Sequence, residues 1–219
     1  MTRHVGIDPA SATGIVAIGE DGKLIGWKEL KAKGDSSPAR INDNMNNIYR
    51  MLREDDNVCI EGFAMEAKYD TNKVSSGHNW GARLATDRKV GRFEVATPNQ
   101  LKSFVNVEEW EGPKGKRVRL DTDEVKRRVQ VAVATHWGDH PTTFNIADAY
   151  VLARIAEAIW LVNKGKSIDD YPDYQQEILK SIMFPEIAKK KKKADKAVKK
   201  KREQAKAKPA AYEGQTSLF

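Results

Sequence analysis

Three short apolar runs follow one another at the start of the chain, at residues 4–7, 14–19 and 23–30, with no helical period between them. A chain that opens this way lays down strands first and helices afterwards. Asp21-Gly22 between the second and third runs is a hairpin signal, so those two runs pair antiparallel. The first run ends on a bare carboxylate, Asp8, followed by Pro9, small and hydroxyl residues, and Gly14. Asp before Pro is a common strand terminator. It is also a place for a metal ligand, and only the rest of the chain separates the two readings.

After the hairpin, periodicity changes. Ser37-Pro38 is an N-cap followed by Pro at the first helical position, and Ile41, Met45, Ile48 and Leu52 continue at helical spacing to about Arg53. Residues 57–62 (NVCIEG) read as a fourth strand, which follows a helix and so pairs parallel to the first. Residues 64–77 are polar, aperiodic and contain Gly and Ser, which reads as a loop. A helix is expected over 79–89, with Trp80, Leu84, Ala82 and Ala85 on its apolar side. A fifth strand is expected at 92–96 and a short helix at 98–105. Residues 106–119 are charged and Gly-containing, hence a loop. Asp121 or Thr122 caps a helix through His136, and residues 145–162 form a strongly apolar last helix. The order predicts an α/β fold, a mixed five-stranded sheet flanked by helices on both faces. One amphipathic helix follows within 167–186 (Tyr174, Ile178, Leu179, Ile182).

The formal net charge is +7, but it is unevenly placed. Residues 187–208 hold eleven lysines and one arginine against two acids, a net of +10; the other 26 basic and 29 acidic side chains leave −3 elsewhere. The Lys-rich run repels itself and is expected to stay disordered until it meets phosphate. It lacks the apolar face of a membrane-surface helix. No signal pattern or charge-free apolar run of membrane length is present, so the chain reads as cytoplasmic and without a membrane partner. A single Cys59 excludes an intrachain disulfide and a Cys-based zinc site. The expected organisation is an α/β domain at 1–165, a helical extension at 166–186, the flexible basic segment at 187–208 and a terminal peptide at 209–219.

Three carboxylates sit where apolar elements end or begin: Asp8, Glu61 in VCIEGF, and Asp148 in FNIADAY. An acid inside an apolar element costs several kcal/mol to bury alone, roughly, and needs a partner. Few cations lie nearby in sequence. Hard carboxylate oxygens suit Mg²⁺ or Mn²⁺, and a pair of such ions activates water and stabilises the leaving oxygen of a phosphodiester. The ordinary readings are a turn cap for Asp8 and a salt bridge or solvent-reaching strand end for Glu61. For Asp148 it is capping-box spacing from Asn145, in a first turn where an acid favours the helix dipole.

VGIDPASATGIVAI, VCIEGFAMEAK, NWGARLA and NIADAYVLA, in this order, resemble the RuvC-type Holliday-junction resolvases of the RNase H-like superfamily, over residues 3–162. Short, divergent sequences of this kind are similar to bacteriophage-encoded members. The resemblance implies an RNase H-like sheet, a homodimer through the NWGARLA helix, and two Mg²⁺ ions, replaceable by Mn²⁺, on Asp8, Glu61 and Asp148. The family pattern at the last helix is D-x-x-D, and this chain has Asn145 in place of the first acid. Asn145 is therefore a weak metal ligand or simply the helix N-cap, with Asp139 or His140 as substitutes. Lys102 matches a basic residue near the scissile phosphate, an electrostatic stabiliser. Phe63 matches an aromatic that meets bases, with a core Phe as the plain alternative.

Other DNA-facing candidates are Lys68, Tyr69 and Lys73 after Glu61, and Lys114, Lys116 and Arg117, with Arg119, in the basic loop. Lys126, Arg127 and Arg128 form a basic helix face. Gln215, Leu218 and Phe219 resemble a bacterial sliding-clamp-binding peptide, two apolar anchors and a Gln on a tether. The chain is thus expected to be a metal-dependent endonuclease cleaving branched DNA, above all four-way junctions, in the cytoplasm (that of a bacterial host if phage-encoded). A non-cleaving branched-DNA binder recruited through its tail is the alternative. An actin–hexokinase-type ATP site shares the first hairpin, but no second Gly-rich phosphate loop is present.

Overall fold

The computed structural model describes residues 2–63, 69–113, 115–188 and 190, with backbone alone at 69–73. Lys68, Lys114, nearly all of the Lys-rich run and the terminal peptide with Gln215, Leu218 and Phe219 lie outside the described residues. So do the side chains of Tyr69 and Lys73.

The strands are β1 (Arg3–Asp8), β2 (Ala12–Gly19), β3 (Leu24–Lys31), β4 (Asn57–Glu61) and β5 (Glu94–Ala96), in the order β3-β2-β1-β4-β5. β1 pairs antiparallel with β2 and β2 with β3, whereas β1–β4 and β4–β5 are parallel. The mixed five-stranded sheet expected from the sequence is present. Ser36, not Ser37 as the sequence suggests, caps helix α1 (Ser37–Met51): its hydroxyl accepts from the Ala39 amide, and Pro38 stands in the first turn. It returns the chain from β3 to β4, which is why β4 runs parallel to β1.

Side chains alternate across the sheet and sort the core into two layers. Val5, Ile7, Ile15, Val58 and Ile60 pack under α1 and α2 (Tyr69–Val90). Val16, Ile18 and Cys59 face the other way, onto α4 (Thr122–Trp137) and α5 (Phe144–Asn163). Helix α5 is buried nearly all round, as its continuous apolarity requires. The helix α6 (Asp173–Met183) adds Leu179 and Ile182 to this second layer. Its Gln175 donates to the Phe104 carbonyl at 3.1 Å, tying it to α3 (Pro98–Phe104).

The structure differs from the sequence reading in three further places. Residues 69–77, expected as a loop, are the start of α2. Their Ser and Gly residues are weak helix formers, but the helix is held by packing on α1. A Cβ on Gly77 would lie 2.4 Å from Ile41 Cδ1, so glycine there is a contact surface rather than a break. On the same helix Ala82 and Ala85 are buried, while Trp80 and Leu84 point outward, 56% and 51% exposed. Residues 106–119 hold a small hairpin, β6 (Trp110–Glu111) with β7 (Val118–Arg119), too short to show a period.

Candidate active site

Parallel pairing sets Ile7 opposite Ile60, so the next residues, Asp8 and Glu61, end neighbouring strands side by side. Alternation turns both toward α5, because Val5, Ile7, Val58 and Ile60 face the other layer. Helix α5 lies unusually close to this face. A Cβ on Gly6 would be 1.9 Å from the Ala149 carbonyl oxygen, and one on Gly14 would be 2.1 Å from that of Asn145. Only glycine permits either approach.

One cleft of about 380 Å³ is lined by Asp8, Glu61, Asp148, Asn145, Phe63 and Lys102, and by Asn79, Glu109, Arg119 and Lys126. Burial is the main cause of a high proton affinity at all three acids, and mutual repulsion is next. Asp8 is held well above the usual carboxylate range by burial and then by Glu61. Glu61 is pushed up to about 7 by burial and the Asp148 charge, and Asp148 to about 7 by burial and the Asp8 charge. Lys102 and Lys126 oppose these shifts at both Glu61 and Asp148. Among the described residues no lysine or arginine pairs with any of the three at salt-bridge distance. Nor do any three His, Cys, Asp or Glu side chains among them form a closed ligand group. Asp8 and Glu61 instead share a side-chain hydrogen bond, which raises the proton affinity of Asp8 and lowers that of Glu61.

Lys102 is ion-paired with Glu109, and Arg119 Nη2 reaches the other Glu109 oxygen at 3.5 Å. Lys126 lies over the Phe144 ring, 5.6 Å from its centroid. Phe63 packs on Trp80 with centroids 5.6 Å apart, and the Arg83 guanidinium covers it at 4.6 Å. Arg83 donates to Asn79 Oδ1 at 2.7 Å, and Asn79 donates to the Glu61 carbonyl at 2.8 Å. The aromatic cluster is thereby fixed to the strand end that carries Glu61. Behind Asp8, the Asn44 amide donates to the Ala10 carbonyl at 3.2 Å and to Thr13 Oγ1 at 2.7 Å, bracing the turn from α1.

Several sequence readings change. Thr143, not Asn145, caps α5, its hydroxyl accepting from the Ile146 amide, and the first turn of α5 carries no acid. The capping and dipole explanations of Asp148 therefore fall away. Asp139 does not line the cleft; it accepts the Tyr150 hydroxyl at 2.5 Å, and His140 is likewise elsewhere. Lys116 and Arg117 are exposed and outside the cleft, Arg117 pairing with Glu108 at 3.1 Å. Arg119 and Lys126 stand in the cleft instead. Glu109 and Asn79 were not singled out in the sequence, because nothing in a charged loop or in a helix marks them.

No family model matches the sequence, and no curated protein matches it. Solved structures do. The chain is similar to T. thermophilus RuvC in complex with Holliday junction substrate, with TM-score 0.55 and 15% identity over 75% of this chain and 97% of that one. A second structure of Thermus thermophilus RuvC gives TM-score 0.53 and 17% identity, over 74% and 95%. The fold is that of the RuvC-type resolvases.

Proposed function

We propose that this chain, which has the RuvC fold, is a metal-dependent, structure-selective endodeoxyribonuclease that cuts branched DNA, four-way junctions above all. The observation that carries the reading is the convergence in one cleft of three carboxylates from β1, β4 and α5, Asp8 buried and Glu61 and Asp148 half-buried, with no cation paired to them among the described residues. A set of hard oxygen donors holding protons near neutrality fits a divalent cation, and Mg²⁺ or Mn²⁺ is the natural occupant. Asp8, Glu61 and Asp148 would hold it, with Asn145 as a weaker oxygen donor. Bound there, a pair of such ions would supply an activated water and stabilisation of the leaving 3′ oxygen.

The chain's own residues do the rest. Lys102 and Arg119 offer positive charge at the mouth of the cleft, where a phosphate displaces Glu109 as their partner. Phe63 and the exposed Trp80 give a face on which an unpaired base at a branch point stacks. The segment at 187–208 adds counterion-releasing contacts along the arms. A homodimer, with two clefts cutting two like strands, suits a two-fold junction, and the outward Leu84 further along α2 marks the surface for it. The last residues, Gln215, Leu218 and Phe219, would recruit the enzyme to a sliding clamp in the cytoplasm. No described helix is long and apolar enough to cross a membrane.

Asp8→Asn is expected to bind synthetic four-way junctions as tightly as the unaltered chain and to cut them roughly a hundredfold more slowly, or slower still, through loss of a metal ligand. Full cutting by this variant would remove Asp8 from the chemistry. The second reading, a binder that does not cut, is favoured by Asn145, which lowers the acid count of the cleft. Absence of cleavage in both Mg²⁺ and Mn²⁺ by the unaltered chain, with junction binding intact, would establish it.

A further inference from the structure

Glu29, on β3, belongs to none of the groups described so far. Register places it in a single row across the sheet: Glu29 pairs with Gly14, and Gly14 pairs with Asp8. Paired residues project to the same face, so the Glu29 and Asp8 carboxylates stand over one surface, two strand spacings apart, roughly 9–10 Å. Gly14 leaves the middle of the row without a side chain. Asn145 of α5 fills that position, its backbone resting on Gly14.

The Asn145 amide is fixed by its neighbours. Nδ2 donates to the Ala12 carbonyl at 2.8 Å and to Glu29 Oε1 at 3.1 Å. Both partners only accept, so the nitrogen must face them and Oδ1 must face away. Asn145 itself lines the cleft alongside Asp8 and Asp148. Glu29 is anchored in turn, because Oε1 also accepts the Thr143 hydroxyl at 2.9 Å. The arrangement explains why an amide stands at position 145. An aspartate there would offer no donor to Ala12 or Glu29 and would set two carboxylates against each other.

We propose that Glu29 is a positioning residue for a divalent cation, acting through Asn145: Asn145 presents a neutral ligand oxygen, and Glu29 holds that oxygen toward the cleft and contributes the negative charge one residue further out. The position works as a carboxylate divided between two side chains, with the ligating atom on α5 and the charge on β3. Hydrogen-bonded partners behind a ligand commonly set metal affinity in this way. The proposal rests on the cleft being a metal centre.

The test is calorimetric titration of Mn²⁺ into the full metal-free chain, compared for the unaltered protein, Glu29→Gln, Asn145→Asp and the double exchange. Glu29→Gln keeps the shape but not the charge, and should weaken Mn²⁺ binding about ten- to a hundredfold. Asn145→Asp alone should lower the melting temperature of the metal-free chain. In the double exchange the amide introduced on β3 can donate to the new carboxylate on α5, and Mn²⁺ affinity should return to within about threefold of the original, a strong non-additivity. If Glu29→Gln binds Mn²⁺ like the unaltered chain, Glu29 is only a brace for the start of α5 and the inference is wrong. If Glu29→Gln does not fold, the double exchange decides: affinity still weakened about tenfold or more overturns the inference. If the unaltered chain takes up no Mn²⁺, the metal reading of the cleft fails first, and this inference with it.

Discussion

At the scale of single residues, Glu61 and Asp148 carry proton affinities displaced to about 7 from ordinary values of 4.5 and 3.8. Between about pH 4 and 7 the folded, metal-free chain therefore keeps protons that the unfolded chain releases. Their contribution to stability is complete below the unfolded values and is lost as pH rises through about 7. A divalent cation competes with those protons, so its stabilising effect should grow over the same interval. The expected outcome is a Mn²⁺-induced rise in melting temperature that is small at about pH 5 and large at about pH 8. Asp8→Asn should reduce this pH dependence, since Asp8 is part of the repulsion. Calorimetry at both pH values checks it; a Mn²⁺ effect of equal size at both would mean that the ion binds elsewhere. The three acids were legible in the sequence because each interrupts an apolar element. Glu29 was not, because it lies in the polar second half of a strand, next to Lys28 and near Lys31, where an acid is unremarkable. Its importance comes only from register.

At the scale of elements, the site depends on how closely α5 approaches β1 and β2. Gly6→Ala forces a Cβ into the Ala149 backbone at 1.9 Å, and neither chain segment can yield locally. The expected cost is about 3 kcal/mol or more, with Asp148 displaced from Asp8. Gly77→Ala is a useful contrast, since its nearest neighbour is the end of the Ile41 side chain. Rotation of that side chain costs little, and alanine gains roughly 1 kcal/mol of helix propensity, so the change should be near neutral. Urea unfolding of the two variants tests the ranking, and equal destabilisation would contradict it. The same two glycines show what pattern reading sees at this scale. The strand order and α5 follow from apolar runs and their length. The first part of α2 does not, because its helicity comes from α1 pressed against it. The β6–β7 hairpin escapes notice because two-residue strands have no period to detect, yet it carries Arg119 into the cleft and starts just beyond Glu109.

At the scale of the whole molecule, charge and fold are separated along the chain. Residues 187–208 hold a net of +10 and the remainder −3. A chain ending at residue 186 keeps α6, whose Leu179 and Ile182 belong to the core, and should melt as the full chain does. Its junction binding should lose much of its salt dependence. Each phosphate contact removed lowers the slope of log K against log salt by about 0.9, and a loss on the order of five units is expected. Fluorescence anisotropy across a salt series measures it, and an unchanged slope would leave the basic segment without a part in binding. The separation was plain in the sequence, and so was Lys102; which of the remaining basic candidates reach the cleft was not, since the structure brings in Arg119 and Lys126 and leaves Lys116 and Arg117 outside.

The row of paired residues also sets a timetable for the chain's synthesis. Asp8 leaves the ribosome before Glu61, and Asp148 only when α5 has been made. Their elements complete one another: β1 pairs with β4, and α5 covers the face of both on which the three acids meet. A half-made chain thus owns every acid of the early strands and no working cleft. Until α5 has been made, Asp148 is missing from the cleft that Asp8 and Glu61 line.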